Sequence, residues 1–310
     1  MDLSSIDPIS LIASLMIAAT PILLAGLGEL VVEKSGVLNL GVEGMMIIGA
    51  IAGFAMAVET ENPYLGMLAA IGAGAVLALL FGILTQYLLS NQVATGLALT
   101  LFGLGLAALL GHSYTGLKPP AVAKLDIAFL TDIPVLGRIL FNHDAVVYFS
   151  IFMVVALWWF LNRSRAGLVL RAVGESHDAA HSLGYNVVMI RMGAIMFGGA
   201  MAGLGGAYFS LIRVPQWTEG MTAGAGWIAL ALVVFASWKP GRLLIGAYLF
   251  GGISVLEINL QIAGAGISPA YLKMTPYLVT IIVLVIMSSD RRRASLNAPA
   301  SLGRSFHASH

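Results

Sequence analysis

The stretch Gly36-Val-Leu-Asn-Leu-Gly-Val-Glu-Gly-Met-Met-Ile-Ile-Gly-Ala50 decides how this chain is read. It sets an amide, Asn39, and a carboxylate, Glu43, four residues apart at the mouth of a glycine-rich apolar run. On a helix that spacing puts both on one face. Gly36, Gly41, Gly44 and Gly49 permit a bend or a close helix contact there. A polar pair at such a point lies either at the membrane edge or on a path through the membrane.

The surrounding composition requires a membrane. Of 310 residues, 59% are hydrophobic and 10% charged, and the mean hydropathy is +0.92. Soluble domains carry roughly 25% charged residues. There is no cysteine, which excludes disulfides, thiolate catalysis and cysteine-ligated metals. No basic residue precedes Lys34, so the first apolar stretch lacks a signal-peptide n-region and is expected to remain as a span. Nine apolar runs are candidate spans: 9–29, 43–58, 64–89, 93–112, 145–162, 193–212, 226–238, 243–260 and 275–289. They are continuous rather than alternating, which argues against a barrel. The expected fold is an all-α polytopic bundle of about nine spans, eight to ten, with the permease domain over residues 1–289. The second and seventh runs are short, hence tilted, broken or partly inserted.

With a cytoplasmic C-terminus, eleven of the sixteen Lys and Arg fall on the cytoplasmic side and five outside, as the positive-inside rule requires. Nine spans then leave the N-terminus outside. Residues 113–144 form an outer segment, residues 163–192 a cytoplasmic one, and 290–310 a cytoplasmic tail expected to be disordered. Gly49-x-x-x-Gly53 and Gly199-x-x-x-Gly203 have helix-packing spacing; they serve tight packing or, alternatively, sliding surfaces.

Within the cytoplasmic segment, Ser176 is placed to cap a short helix, Asp178 lies in its first turn, Ala179 and Ala180 favour helix, and Gly184 stops it. Here a family resemblance enters. Asp178-Ala-Ala-x-x-x-Gly184, followed by Ile190, resembles the Glu-Ala-Ala loop of bacterial ABC importer permeases, with Asp where Glu is frequent. Together with Arg171-Ala-Val-Gly-Glu175 and Asn39-Leu-Gly-Val-Glu-Gly-Met-Met46, it is most similar to the simple-sugar and nucleoside branch, which shares a superfamily with the branched-chain amino acid permeases.

That resemblance implies an inner-membrane subunit that pairs with a second permease, either a related chain or a copy of itself. It further implies cytoplasmic ABC ATPase subunits, an extracytoplasmic solute-binding protein, no cofactor and no nucleic acid. ATPase contacts would fall on Glu175, Asp178, Ala179, Ala180 and Gly184. The chain has no Gly-Lys dipeptide and therefore no phosphate-cradling loop of its own, so it is expected not to be an enzyme; ATP would bind elsewhere.

Asn39, Glu43 and Glu257 are candidates for the translocation path, each with a plainer alternative. The alternative for Glu43 is a cytoplasmic-edge carboxylate facing water or Lys34, and for Glu257 the interfacial end of a helix on the outer side. Trp217 and Trp227 bracket a glycine-rich outer loop and suit either a stacking role or the interfacial belt. His177 and His181 have i,i+4 spacing but no evident third metal ligand. The rival functions are a branched-chain amino acid permease, an ion-coupled transporter and a non-transporting scaffold. If Asn39 and Glu43 only mark the approach to the second span, Glu43→Gln reduces uptake only modestly and bulky residues at Gly41 or Gly44 cripple it.

Overall fold

The computed structural model describes residues 8–125, 141–262 and 298–307, with scattered positions between 268 and 285. Among these residues the secondary structure is helical, apart from one isolated bridge between Lys124 and Asp144. Helix α1 is Pro8–Lys34, α2 Val42–Thr60 and α3 Pro63–Gly82, the last continued by a π turn, Ile83–Tyr87. Helix α4 is Gln92–Gly111 and α5 Ala145–Arg163. Then come two short helices, α6 (Arg165–Glu175) and α7 (His177–Ser182). Helix α8 is Val187–Tyr208, with a π turn at Phe209–Arg213; α9 is Ala225–Phe235 and α10 Pro240–Ile262.

Seven described helices are long and apolar enough to cross a membrane. The seventh sequence run is not an eighth such span, because α9 has only 11 residues. At 1.5 Å per residue that is about 16 Å, near half of a hydrocarbon core of about 30 Å. The ninth run, 275–289, lies for the most part outside the described residues, among which seven spans and one half-length helix are found.

The centre is a glycine seam. Helix α8 packs against α1, α2 and α3, and the two small-residue motifs interlock with each other. A Cβ on Gly49 would lie 2.4 Å from the Gly203 backbone, and one on Gly74 would lie 2.2 Å from the Gly199 carbonyl oxygen. Gly206 is closest of all, 1.8 Å from the Met46 carbonyl oxygen. Contacts of backbone on backbone supply the dispersion energy that holds helices together where lipid removes the hydrophobic drive.

The expectation of a disordered tail does not hold for residues 298–307. Ser301 N–H donates to the Gly174 carbonyl at 2.9 Å and Gly303 N–H to the Gly36 carbonyl at 3.1 Å. Phe306 is 6% exposed and joins Val173, Ala180 and Val187 in a small apolar cluster. The sequence hid this because one aromatic and two turn residues suffice to dock a segment whose composition is otherwise polar.

Candidate functional site

Two places in the bundle carry the polar chemistry. The first is the turn between α1 and α2. After Lys34 the chain does not stay at the surface; it reverses at Gly36, whose φ is +89°, and climbs back into the bundle. Leu38 N–H donates to Gln92 Oε1 at 2.8 Å, and Asn39 N–H to Glu29 Oε1 at 3.2 Å. Thr100 Oγ1 then donates to the Leu40 carbonyl at 3.1 Å. Asn39 is fully buried, and its Oδ1 accepts from Gly41 N–H at 2.9 Å, closing a local turn. Re-entrant backbone is tolerated at membrane depth only when protein satisfies its polar groups, as these bonds do.

Glu43 follows in the first turn of α2 and is 2% exposed. It faces neither water nor Lys34. Its Oε1 accepts from Thr222 Oγ1 at 2.6 Å and Gly224 N–H at 2.9 Å, and its Oε2 accepts from Gly226 N–H at 2.6 Å. These donors form the N-terminus of half-helix α9. That end lies inside the bundle, where water cannot satisfy its free N–H groups. A carboxylate on a neighbouring helix does so and also opposes the helix dipole. Gly226 must be glycine here, since a Cβ would lie 2.6 Å from Glu43 backbone.

Glu257 is not part of this cluster. It is half-buried toward the end of α10, where its Oε1 accepts from Gln261 Nε2 at 3.0 Å. The two tryptophans also separate. Trp217 is buried, packed on Gly111 at the end of α4, whereas Trp227 is 45% exposed on the first turn of α9.

The second place is the cytoplasmic segment. Ser176 caps α7, its Oγ accepting from Ala179 N–H at 3.3 Å. Gly184 ends it at φ +87°, with Gly184 N–H donating to the His181 carbonyl and Tyr185 N–H to that of Ala180. This is the paired terminator that needs a left-handed residue. Glu175, Asp178, Ala179 and Gly184 are exposed, while Ala180 is buried under Phe306. Leu183, 77% exposed, adds an apolar knob to the same helix end.

Arg191, in the first turns of α8, braces this segment and is fully buried. Its Nε donates to the Ser35 carbonyl at 3.2 Å, and one terminal nitrogen donates to the Arg304 carbonyl at 3.1 Å. The other lies 3.3 Å from His177 Nδ1. One guanidinium thus joins α1, α7, α8 and the tail. Phe306 completes the joint, with its ring edge-on to His177 and His181 at 5.5 and 5.2 Å. Sequence reasoning passed over Arg191, Glu29 and Glu33. Each could have been found as an ionisable residue within or at the edge of an apolar run.

Burial, then the Arg191 charge, pushes His177 below its ordinary 6.5; Arg304 and His307 act the same way and Asp178 opposes them. Docking therefore favours neutral His177. Its contribution is complete above about pH 6.5 and is lost as pH falls through the lowered docked value. An environment-sensitive fluorophore on Ser305→Cys, in a chain otherwise free of cysteine, should report release of the tail between pH 7 and 5. With His177→Gln the response should flatten.

A re-entrant turn, a half-length helix ending inside the bundle and a short surface helix braced from below define a multi-pass membrane protein of the permease class. Its family is that of the branched-chain amino acid transport system permease components, whose pattern matches residues 11–286, and the chain belongs to it. It is similar to TsgC13 of Haloferax volcanii, which is named for glucose ABC transport. The two are 40% identical, and the match covers 94% of this chain and 95% of that one. The guanosine ABC transporter permease protein NupQ of Bacillus subtilis is 35% identical, over 92% of this chain and 93% of its own. The nucleoside ABC transporter permease protein NupC of Lactococcus lactis is 30% identical, over 89% and 91%. No solved structure matches the chain.

Proposed function

We propose that this chain is the membrane-spanning permease subunit of an ATP-driven importer for nucleosides or simple sugars. The observation that carries the reading is the capped helix α7, which exposes Asp178, Ala179 and Leu183 outward while Arg191 and Phe306 tie it to α1 and α8. A partner ATPase seated on that face moves the spans as a lever, because the joint beneath it is rigid. A second permease subunit and a solute-binding protein complete the pathway. The bundle then holds the seven described spans and half-helix α9.

Within the pathway, Asn39 and Glu43 act as supports rather than liners, since both are buried and committed. The half-helix that Glu43 holds leaves Trp227 exposed on the bundle exterior, where a partner subunit would complete the passage.

Reconstituted with its ATPase, the chain should drive uptake that guanosine, uridine or glucose suppresses. Suppression by leucine alone would instead assign the branched-chain amino acid substrate that the family description names. Uptake that persists with no ATPase present would overturn the reading. Leu183→Asp should lower ATP-driven uptake at least ten-fold, about the loss expected of a central interface anchor, with unchanged protein yield.

A further inference from the structure

A cavity of about 490 Å³ opens where α1, α5, α6 and the turn into α10 meet, on the side of the membrane that carries α7. Four cations line it: Lys34, Arg171, Lys239 and Arg242, together with Trp158 and Trp238. None of the described carboxylates forms a salt bridge with Arg171, Lys239 or Arg242. Arg171 Nε is buried without a hydrogen-bond partner. The nearby carboxylate of Glu33 accepts from the Trp238 indole N–H.

The cavity is built rather than incidental. Ser237 and Trp238 both adopt left-handed backbone, at φ 50° and 55°, which non-glycine residues rarely do. The strained turn seats the Trp238 ring 5.9 Å from Lys34 Nζ and leaves it 7% exposed. Strain of this kind persists where surrounding contacts over-determine it, often at ligand clamps. The opposite wall carries exposed aromatic side chains. Trp158 and Trp159 are 50% and 58% exposed on the outer face of α5, with Phe152 and Val155 exposed further along it.

Converging cations beside an exposed tryptophan wall, at the cytoplasmic interface, call for an amphipathic anion. We propose that this cavity binds the phosphodiester headgroup of an anionic phospholipid, whose acyl chains run along the Trp158 face of α5. Basic cavities between spans on the cytoplasmic side suit such headgroups. A bound lipid would bridge the end of α1 to α6, directly above the helix that carries α7.

The test measures phosphatidylglycerol bound to the full chain, assembled with its partner subunits, by native mass spectrometry. Each cation near an anionic headgroup contributes about a five-fold factor, so K239Q/R242Q should weaken binding about twenty-five-fold. The charge-keeping K239R/R242K should stay within about two-fold of wild type, which separates loss of charge from loss of fold. Undiminished affinity in K239Q/R242Q would overturn the proposal. So would equal binding of phosphatidylcholine, which would leave only an apolar groove. Displacement by millimolar inorganic phosphate would assign the cavity to free phosphate, and complete exclusion of lipid by the bound ATPase would make it a protein interface; either result defeats the lipid assignment.

Discussion

Glu43→Gln should destabilise the protein by about 3 kcal/mol and reduce uptake more than ten-fold, because one amide nitrogen would replace an acceptor that faces a buried donor. The carboxylate accepts three hydrogen bonds, from Thr222, Gly224 and Gly226. Glutamine keeps a single carbonyl oxygen. If that oxygen serves Thr222 and Gly224, its NH₂ confronts the Gly226 N–H, and a donor is left unpaired inside the membrane. The charge that opposes the α9 dipole disappears as well. Thermal unfolding in detergent and uptake in proteoliposomes should fall together. Wild-type values for both would show that α9 needs no external cap and would return Glu43 to the minor role the sequence suggested. The sequence rated this substitution as mild because it placed Glu43 at the cytoplasmic approach; the three bonds make it costly.

The second large effect belongs to Gly206. A Cβ there would sit 1.8 Å from the Met46 carbonyl oxygen, and the opposing atom is backbone. No rotamer change relieves such a clash, so α8 and α2 must separate. Gly206→Ala is expected at or beyond the upper end of the about 1–3 kcal/mol range for overpacked cores, and Gly206→Leu should yield no folded protein. Gly105 is the control. It too lies in a span, yet nothing lies within 4 Å of its added Cβ. Gly105→Ala should be neutral or stabilising by up to about 1 kcal/mol, from helix propensity alone. Size-exclusion profiles of fluorescent fusions would compare the variants directly, and equal behaviour of Gly206→Ala and Gly105→Ala would refute the seam. Between these extremes lie the two glycines of the opening stretch. Gly44 would press on Leu99 and Thr100 backbone at 2.7 and 2.8 Å, whereas Gly41 first meets Asn39 Oδ1 at 3.0 Å. Alanine at Gly41 should therefore be the milder change.

The Arg191 joint shows why part of the site stayed hidden. Its partners are the carbonyls of Ser35 and Arg304, the ring of His177 and Gln86 Oε1, separated by up to 156 positions in sequence. Two of the four are backbone atoms, which leave no mark on residue type. The cap of α7 was legible, by contrast, because Ser176, Asp178 and Gly184 act within one turn of each other. The docked tail was misjudged for the first reason: its bonds to Gly174 and Gly36 run through main chain.

The sequence by itself determined the membrane environment, the helical class and the cap and stop of the short helix α7. Each follows from local periodicity, composition or spacing, whose physics acts within a few residues. Only the tertiary structure decided that Gly36–Ala50 re-enters the bundle, that Glu43 caps a half-helix lying 179 positions away at Thr222, and that the two glycine motifs interlock. Those outcomes depend on which buried donor meets which acceptor in a medium without water, and that is settled by packing across the whole chain.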